Sequence, residues 1–246
     1  MNNYKLKSVT DRYNQLLIKI ISYFQNSNNS IHKARNEIKV INYNNEEVIV
    51  KSFKVPHIIN KIVYSFFRDS KAKKSYDYSI KIIDFVPKPI GYVEFQRFGL
   101  IHDSYFVSKN FNYDFTIREP LLDENFENRE EVFRAFARFT FELHEQNIFH
   151  KDYSPGNILI KKEEDTYIFK IVDINRMGFF ELSQKDRAKN FSKLWASDEV
   201  LKIIAKEYSK HYSVDKKFQE QILYYNQKNK NIKNFKKRLK GKKVDD

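Results

Sequence analysis

The chain has 246 residues, 41% hydrophobic and 16% aromatic, with no cysteine and a formal charge of +13. This content suits a folded chain with a sizeable core, in one domain or two closely packed lobes, and argues against disorder. The lack of cysteine excludes disulfides and thiolate metal sites and fits the cytoplasm.

In chain order, residues 1–25 read as an amphipathic helix, because Tyr13, Leu16, Leu17, Ile20, Ile21 and Phe24 recur at helical spacing. Its apolar run is broken by Lys19, falls far short of the about 20 residues that span a bilayer, and lacks a small-residue cleavage site. Neither a membrane span nor a secretory signal is read there. Asn26–Ser30 is a polar loop. Glu37–Ile41 and Glu47–Lys51 then form two β-rich runs separated by Asn42–Asn45, an antiparallel hairpin. Ile62–Phe85 reads as helical, and Pro87-Lys88-Pro89 breaks the chain. Gly91–Gln96 and Ser104–Val107 give the next two strands. Glu130–Gln146 repeats Val132, Phe133, Phe136, Phe139, Thr140 and Leu143 at helical period, and Asn147, tolerant of the left-handed conformation, closes it. Gln184–Tyr225 reads as further helices around Trp195. From Asn226 to Lys243 the chain is dense in lysine, with Ile232, Phe235 and Leu239 at helical spacing. Two readings stay open for this tail: a solvated terminal helix, or a basic helix in peripheral contact with an anionic membrane.

The charge of +13 invites a nucleic-acid partner. Lysine greatly outnumbers arginine, acidic residues are spread among the basic ones, and no aromatic-basic recognition motif appears, so no nucleic acid is expected. The charge concentrates other anions near the surface.

The most informative stretch is Ile148–Ile160. It holds His150-x-Asp152, then Asn157 five positions after the Asp, then an apolar β-type run. A second run, Tyr167–Val172, ends in Asp173. This order of residues and elements resembles the catalytic loop of phosphotransferases of the protein-kinase fold. In that chemistry Asp152 faces the hydroxyl to be phosphorylated. Asn157 and Asp173 supply the oxygen ligands that Mg²⁺ demands. His150 is then a scaffold, and His144 a packing residue at a helix end. Lys51 closes its strand where kinases of this fold place the lysine that binds the α- and β-phosphates; Lys54 is the alternative. The fold also needs an acidic helix residue to fix that lysine. Asp77 is the candidate, with Asp84 as the fallback.

Leu143–Leu159 with Val172–Arg176 resembles the bacterial lipopolysaccharide core kinases, which include kinases of heptose and of 3-deoxy-octulosonic acid (Kdo). The likeness runs upstream to Arg35–Lys39 and Val48–Lys51. It implies an α+β fold in two lobes, residues 1–110 and 111–246, with ATP and Mg²⁺ held in the cleft. It further implies γ-phosphoryl transfer to a sugar hydroxyl of a lipopolysaccharide-type glycolipid, Kdo or heptose, by an enzyme that is cytoplasmic or peripheral on the inner membrane. The alternatives are another small-molecule kinase of this fold and a catalytically inactive kinase-fold binding protein.

Several departures narrow the class. No Gly-x-Gly-x-x-Gly loop exists among the five glycines, and Asn26–Ser30 is where one is sought. Lys151 replaces the arginine that reads an activation-loop phosphate, and Asp173-Ile174-Asn175 replaces Asp-Phe-Gly. Ser154 stands where Ser/Thr kinases have a lysine touching the γ-phosphate. These point away from a phosphorylation-switched protein kinase and toward a small-molecule or glycolipid kinase.

Overall fold

The computed structural model describes residues 3–33, 36–54, 68–164, 166–213, 215 and 217–241. The chain divides into two compact units, Met1–Asn112 with Asp173–Asn175, and Tyr113–Val172 with Arg176–Asp246.

The first unit is built on a six-stranded antiparallel sheet. Its strands are β1 (Asn3–Ser8), β2 (Ser30–Lys33), β3 (Asn36–Tyr43), β4 (Glu46–Lys54), β5 (Pro89–Arg97) and β6 (Leu100–Lys109), in the order β1-β5-β6-β4-β3-β2. The β3–β4 hairpin turns on Asn44 and Asn45, both at positive φ, the conformation a tight two-residue turn requires. Strand alternation then decides the faces. Val48 and Val50 join Ile90, Val93, Tyr105 and Val107 in one core, covered by the short helices α1 (Asn14–Ile18) and α2 (Ile20–Asn26) through Tyr13, Leu16, Leu17, Ile20 and Phe24. Phe53, two residues beyond Lys51 on the opposite face, packs with Tyr92 and with Ala72 and Tyr76 of helix α3 (Lys71–Lys81).

One expectation fails in this unit and another holds in part. Residues 3–8 are a strand, not the start of the N-terminal helix; they pair with β5 from Asn3↔Gln96 to Ser8↔Gly91. The helical stretch expected over 62–85 is described only from Arg68, and it is α3 followed by a 3₁₀ turn at Ile83–Phe85; residues 62–67 lie outside the described residues.

The second unit is mainly helical. Strands β7 (Phe115–Thr116), β9 (Ile158–Glu163) and β10 (Thr166–Ile171) form one small antiparallel sheet, and β8 (Ile148–His150) pairs with β11 (Met177–Phe179). The helices are α4 (Arg118–Leu122), α5 (Arg129–Glu145), α6 (Gln184–Asn190), α7 (Asp198–Tyr208) and α8 (Phe218–Arg238). The inward stripe of α5 is the one its period predicts: Val132, Phe133, Phe136 and Leu143 are fully buried. Asn147, at φ 58°, turns the chain from α5 directly into β8. Trp195 does not organise the helices after it. It is 39% exposed at φ 52°, while Phe191, Tyr208 and Phe218 fill the core between α5, α6, α7 and α8. Among the described residues, no helix is long and apolar enough to cross a membrane.

Candidate active site

The candidate residues fall in two groups, one in each unit. In the first unit, β4 presents Lys51 on the sheet face shared with Phe53, and Lys51 Nζ lies 2.6 Å from Asp173 Oδ1. Asp173 sits at φ 58°, in the left-handed region that Asp and Asn tolerate better than other side chains. Asn175 Nδ2 donates to the same Oδ1 at 2.7 Å. Lys51 is thus held by Asp173, not by Asp77, whose Oδ2 lies 3.6 Å from Lys73 one turn earlier on α3. A helix neighbour at i,i+4 satisfies the shorter Asp side chain locally. Asp84 lies on the 3₁₀ turn after α3, and the Lys54 side chain lies outside the described set.

In the second unit, the loop Lys151–Asn157 is fixed from several sides. The Asp152 N–H donates to His150 Nδ1 at 3.0 Å, so His150 Nε2 carries the proton and donates to the Val172 carbonyl, also at 3.0 Å. The imidazole therefore ties the loop to the strand that delivers Asp173, and it is a scaffold as expected. Tyr153 is fully buried, stacked on Phe136 with its hydroxyl 2.9 Å from Thr140, and burial raises its pKa above the ordinary phenol range. The Asn157 side-chain amide donates to the Asp152 carbonyl at 2.9 Å, while its own backbone carbonyl accepts from Val172 N–H. With its nitrogen so engaged, Asn157 presents its amide oxygen as an acceptor.

Asp152 carries two cations. Arg176, immediately before β11, bonds Oδ2, and Lys193 Nζ lies 3.3 Å from Oδ1. Neither was picked out from the sequence. Arg176 stands in the Val172–Arg176 segment, but neither the Mg²⁺ chemistry nor the base chemistry expected of that segment calls for a cation at this position. Lys193 is 41 residues from Asp152, and no local signal connects them. It is placed by α6: the Asn190 side chain donates to the His150 carbonyl at 3.1 Å, and Phe191 is buried against Phe136, His144 and Tyr208.

His144 closes the support behind the loop. It is fully buried, Nε2 faces Asn190 Oδ1 at 3.2 Å and Nδ1 faces the Tyr208 hydroxyl at 2.9 Å. Burial is the main cause that lowers its pKa, to about 3, against the opposing Asn190 bond. It is neutral and structural, not a base.

The donor types suit a hard cation: Asp173 in the first unit offers a carboxylate, and Asn157 in the second a side-chain amide oxygen. The loop Asn26–Ser30, sought as a phosphate cover, is taken up within the first unit. Ser27 Oγ donates to Val40, and Lys39 Nζ donates to the Phe24 and Ser27 carbonyls.

A sequence profile of the Lipopolysaccharide kinase (Kdo/WaaP) family matches residues 115–223, which hold Asp152, Asn157, Asp173, Arg176 and Lys193. A search of curated protein sequences gives no match. Among solved structures, the chain described as WaaP in complex with acyl carrier protein superposes with a TM-score of 0.58 at 11% identity, over 93% of this chain and 99% of that one. That likeness shows the fold, a kinase-like α+β architecture in two lobes. Over residues 115–223 the chain is similar to the lipopolysaccharide kinase (Kdo/WaaP) family.

Proposed function

We propose that the protein is an ATP-dependent kinase that transfers the γ-phosphate to a sugar hydroxyl of the lipopolysaccharide inner core, Kdo or heptose. The observation that carries this reading is the fixed carboxylate of Asp152, on a loop pinned by His150, Tyr153 and Asn157. Asp152 orients the acceptor hydroxyl and takes its proton. Lys51 steadies the nucleotide phosphates, and its pairing with Asp173 keeps the ammonium extended for that task. Asn157 and Asp173 would hold Mg²⁺, which when bound neutralises phosphate charge. The protein's share of catalysis is positioning and charge neutralisation more than covalent chemistry.

The acceptor places the enzyme in the cytoplasm at the inner membrane face. The tail supports this: α8 buries Phe218, Ile222 and Asn226, but Ile232, Phe235 and Leu239 are exposed and flanked by lysines. An acyl carrier protein, the partner in the solved WaaP structure, is a further candidate on that precedent.

The test is Mg-ATP-dependent phosphate transfer to Kdo-lipid A, with Asp152→Ala as control. Transfer that is lost in the variant supports the assignment. Clear Mg-ATP binding without transfer redirects it to another acceptor, and absence of both leaves an inactive kinase-fold binding protein.

A further inference from the structure

Ser154 leaves a gap in the charge scheme: Ser/Thr protein kinases set a lysine two residues after the catalytic Asp, and a serine hydroxyl cannot neutralise a phosphoryl group. We propose that Lys193 fills that role from another element, as a catalytic residue that contacts the transferring γ-phosphoryl group. The proposal rests on the kinase reading above.

The geometry follows from the base itself. An acceptor hydroxyl sits within about 2.6–3.2 Å of the carboxylate that takes its proton. In a near-attack complex that hydroxyl oxygen is about 3–3.5 Å from the phosphorus. A cation already 3.3 Å from Asp152 Oδ1 is therefore within a side-chain rotation of the equatorial phosphoryl oxygens. In the transfer, the hydroxyl oxygen bonds phosphorus and its proton goes to Asp152. The bond from phosphorus to the β-phosphate bridging oxygen breaks, and the electron pair leaves on ADP. Charge spreads over the three equatorial oxygens, and a fixed cation there acts where the charge develops.

Lys193 is better placed for this than Arg176. Its turn is locked by Asn190 and Phe191, 2% and 0% exposed, and its own side chain is 35% exposed. The Arg176 side chain is 58% exposed and engages the other carboxylate oxygen. A purely structural surface ion pair would leave only a small stability effect when removed.

Two measurements on the full-length protein decide the matter: steady-state transfer to Kdo-lipid A, and calorimetric binding of MgADP with and without aluminium fluoride, which mimics the planar phosphoryl group. Lys193→Met should lower kcat by about 10²–10³-fold, the loss typical of one transition-state charge donor. KM for ATP and MgADP affinity should stay within about threefold, with affinity for the fluoride complex falling along with kcat. Lys193→Arg should recover part of both losses, which excludes misfolding as their cause. A Lys193→Met enzyme with unchanged kcat and fluoride-complex affinity overturns the proposal while the kinase reading stands. If the wild-type protein neither binds MgADP nor transfers phosphate, the kinase reading fails and this inference with it.

Discussion

At the scale of residues, Asp152 is a carboxylate whose work can be removed at little structural cost. Its partners, Arg176 and Lys193, are both partly exposed and rehydrate when it is gone. Asp152→Ala should therefore cut phosphate transfer by about 10²–10⁴-fold, the usual share of a general base. The thermal midpoint should stay within a degree or two; an active variant, or one that unfolds, would count against the assignment. Asp173 is different because it combines a metal-type carboxylate with a left-handed backbone. Asp173→Asn keeps the backbone preference and removes the negative charge that pairs with Lys51, so it should stop Mg²⁺-dependent transfer while the protein stays folded. Asp173→Ala should in addition lose about 1 kcal/mol of stability, since alanine resists positive φ; equal unfolding midpoints for the two variants would refute this. His144 sets the pH response. Its pKa is held near 3 in the fold, chiefly by burial, whereas the unfolded chain titrates at about 6.5. Between these values only the unfolded chain binds the proton, so stability falls as pH drops through that window. Midpoints measured at pH 7.5 and 5 should converge in His144→Gln relative to wild type. Asp152, Asn157, Asp173 and Lys51 stand out in the sequence because each lies in a short local pattern. The partner of Lys51 was not: Asp173 lies 122 residues away, and only the folded chain shows that it, and not Asp77, meets the lysine.

At the scale of elements, periodicity read what it could. The α5 stripe and the β3–β4 hairpin came through because period 3.6 and period 2 were each clean there. β1 was lost for a physical reason: Asn3–Ser8 alternates Tyr4 and Leu6 with lysines but is an edge strand whose outward side is solvated, so a neighbouring helical pattern claimed it. The structure gives β1 a tight seat. A Cβ built at Gly91 would meet the Lys7 carbonyl oxygen at 2.5 Å and Leu17 Cδ1 at 2.7 Å, so β1 can approach β5 only over a glycine. Gly91→Ala should cost about 1–3 kcal/mol, as overpacking of a filled site does. It should also speed hydrogen exchange along β1 relative to β6. An unchanged denaturation midpoint would mean that β1 shifts freely and is not anchored at Ser8↔Gly91.

At the scale of the whole molecule, the division into a sheet-based and a helical unit follows from where the strands and helices cluster in sequence, but the crossing of Asp173–Asn175 into the first unit does not, because three residues carry no composition signal. The charge is also unevenly placed. Residues 221–246 hold nine basic side chains and only two acidic ones, both at the last two positions. Past Asn226 no described residue of α8 is buried, and Ile232, Phe235 and Leu239 form one outward line at i, i+3 and i+7, 48%, 63% and 72% exposed. Beside α8, Trp195 Nε1 donates to Asn229 Oδ1 at 2.9 Å and Lys233 stands 3.0 Å over the indole ring, which fixes an amphipathic aromatic at the same helix. Apolar side chains bordered by lysines match an anionic bilayer, where the apolar groups enter the interface and the ammonium groups meet the head groups. Burying Phe or Leu fully is worth about 1.5–3 kcal/mol each. Partial burial of both still predicts at least a tenfold loss of partitioning onto phosphatidylglycerol-containing vesicles for the Phe235→Glu, Leu239→Glu double variant. Wild-type binding should weaken as salt is raised toward 1 M, where screening shortens to about 3 Å. It should also be slight on purely zwitterionic vesicles. Equal partitioning of wild type and variant, or equal binding to both vesicle types, would make the tail a solvated helix, and the proposed glycolipid acceptor would have to be reached by some other surface.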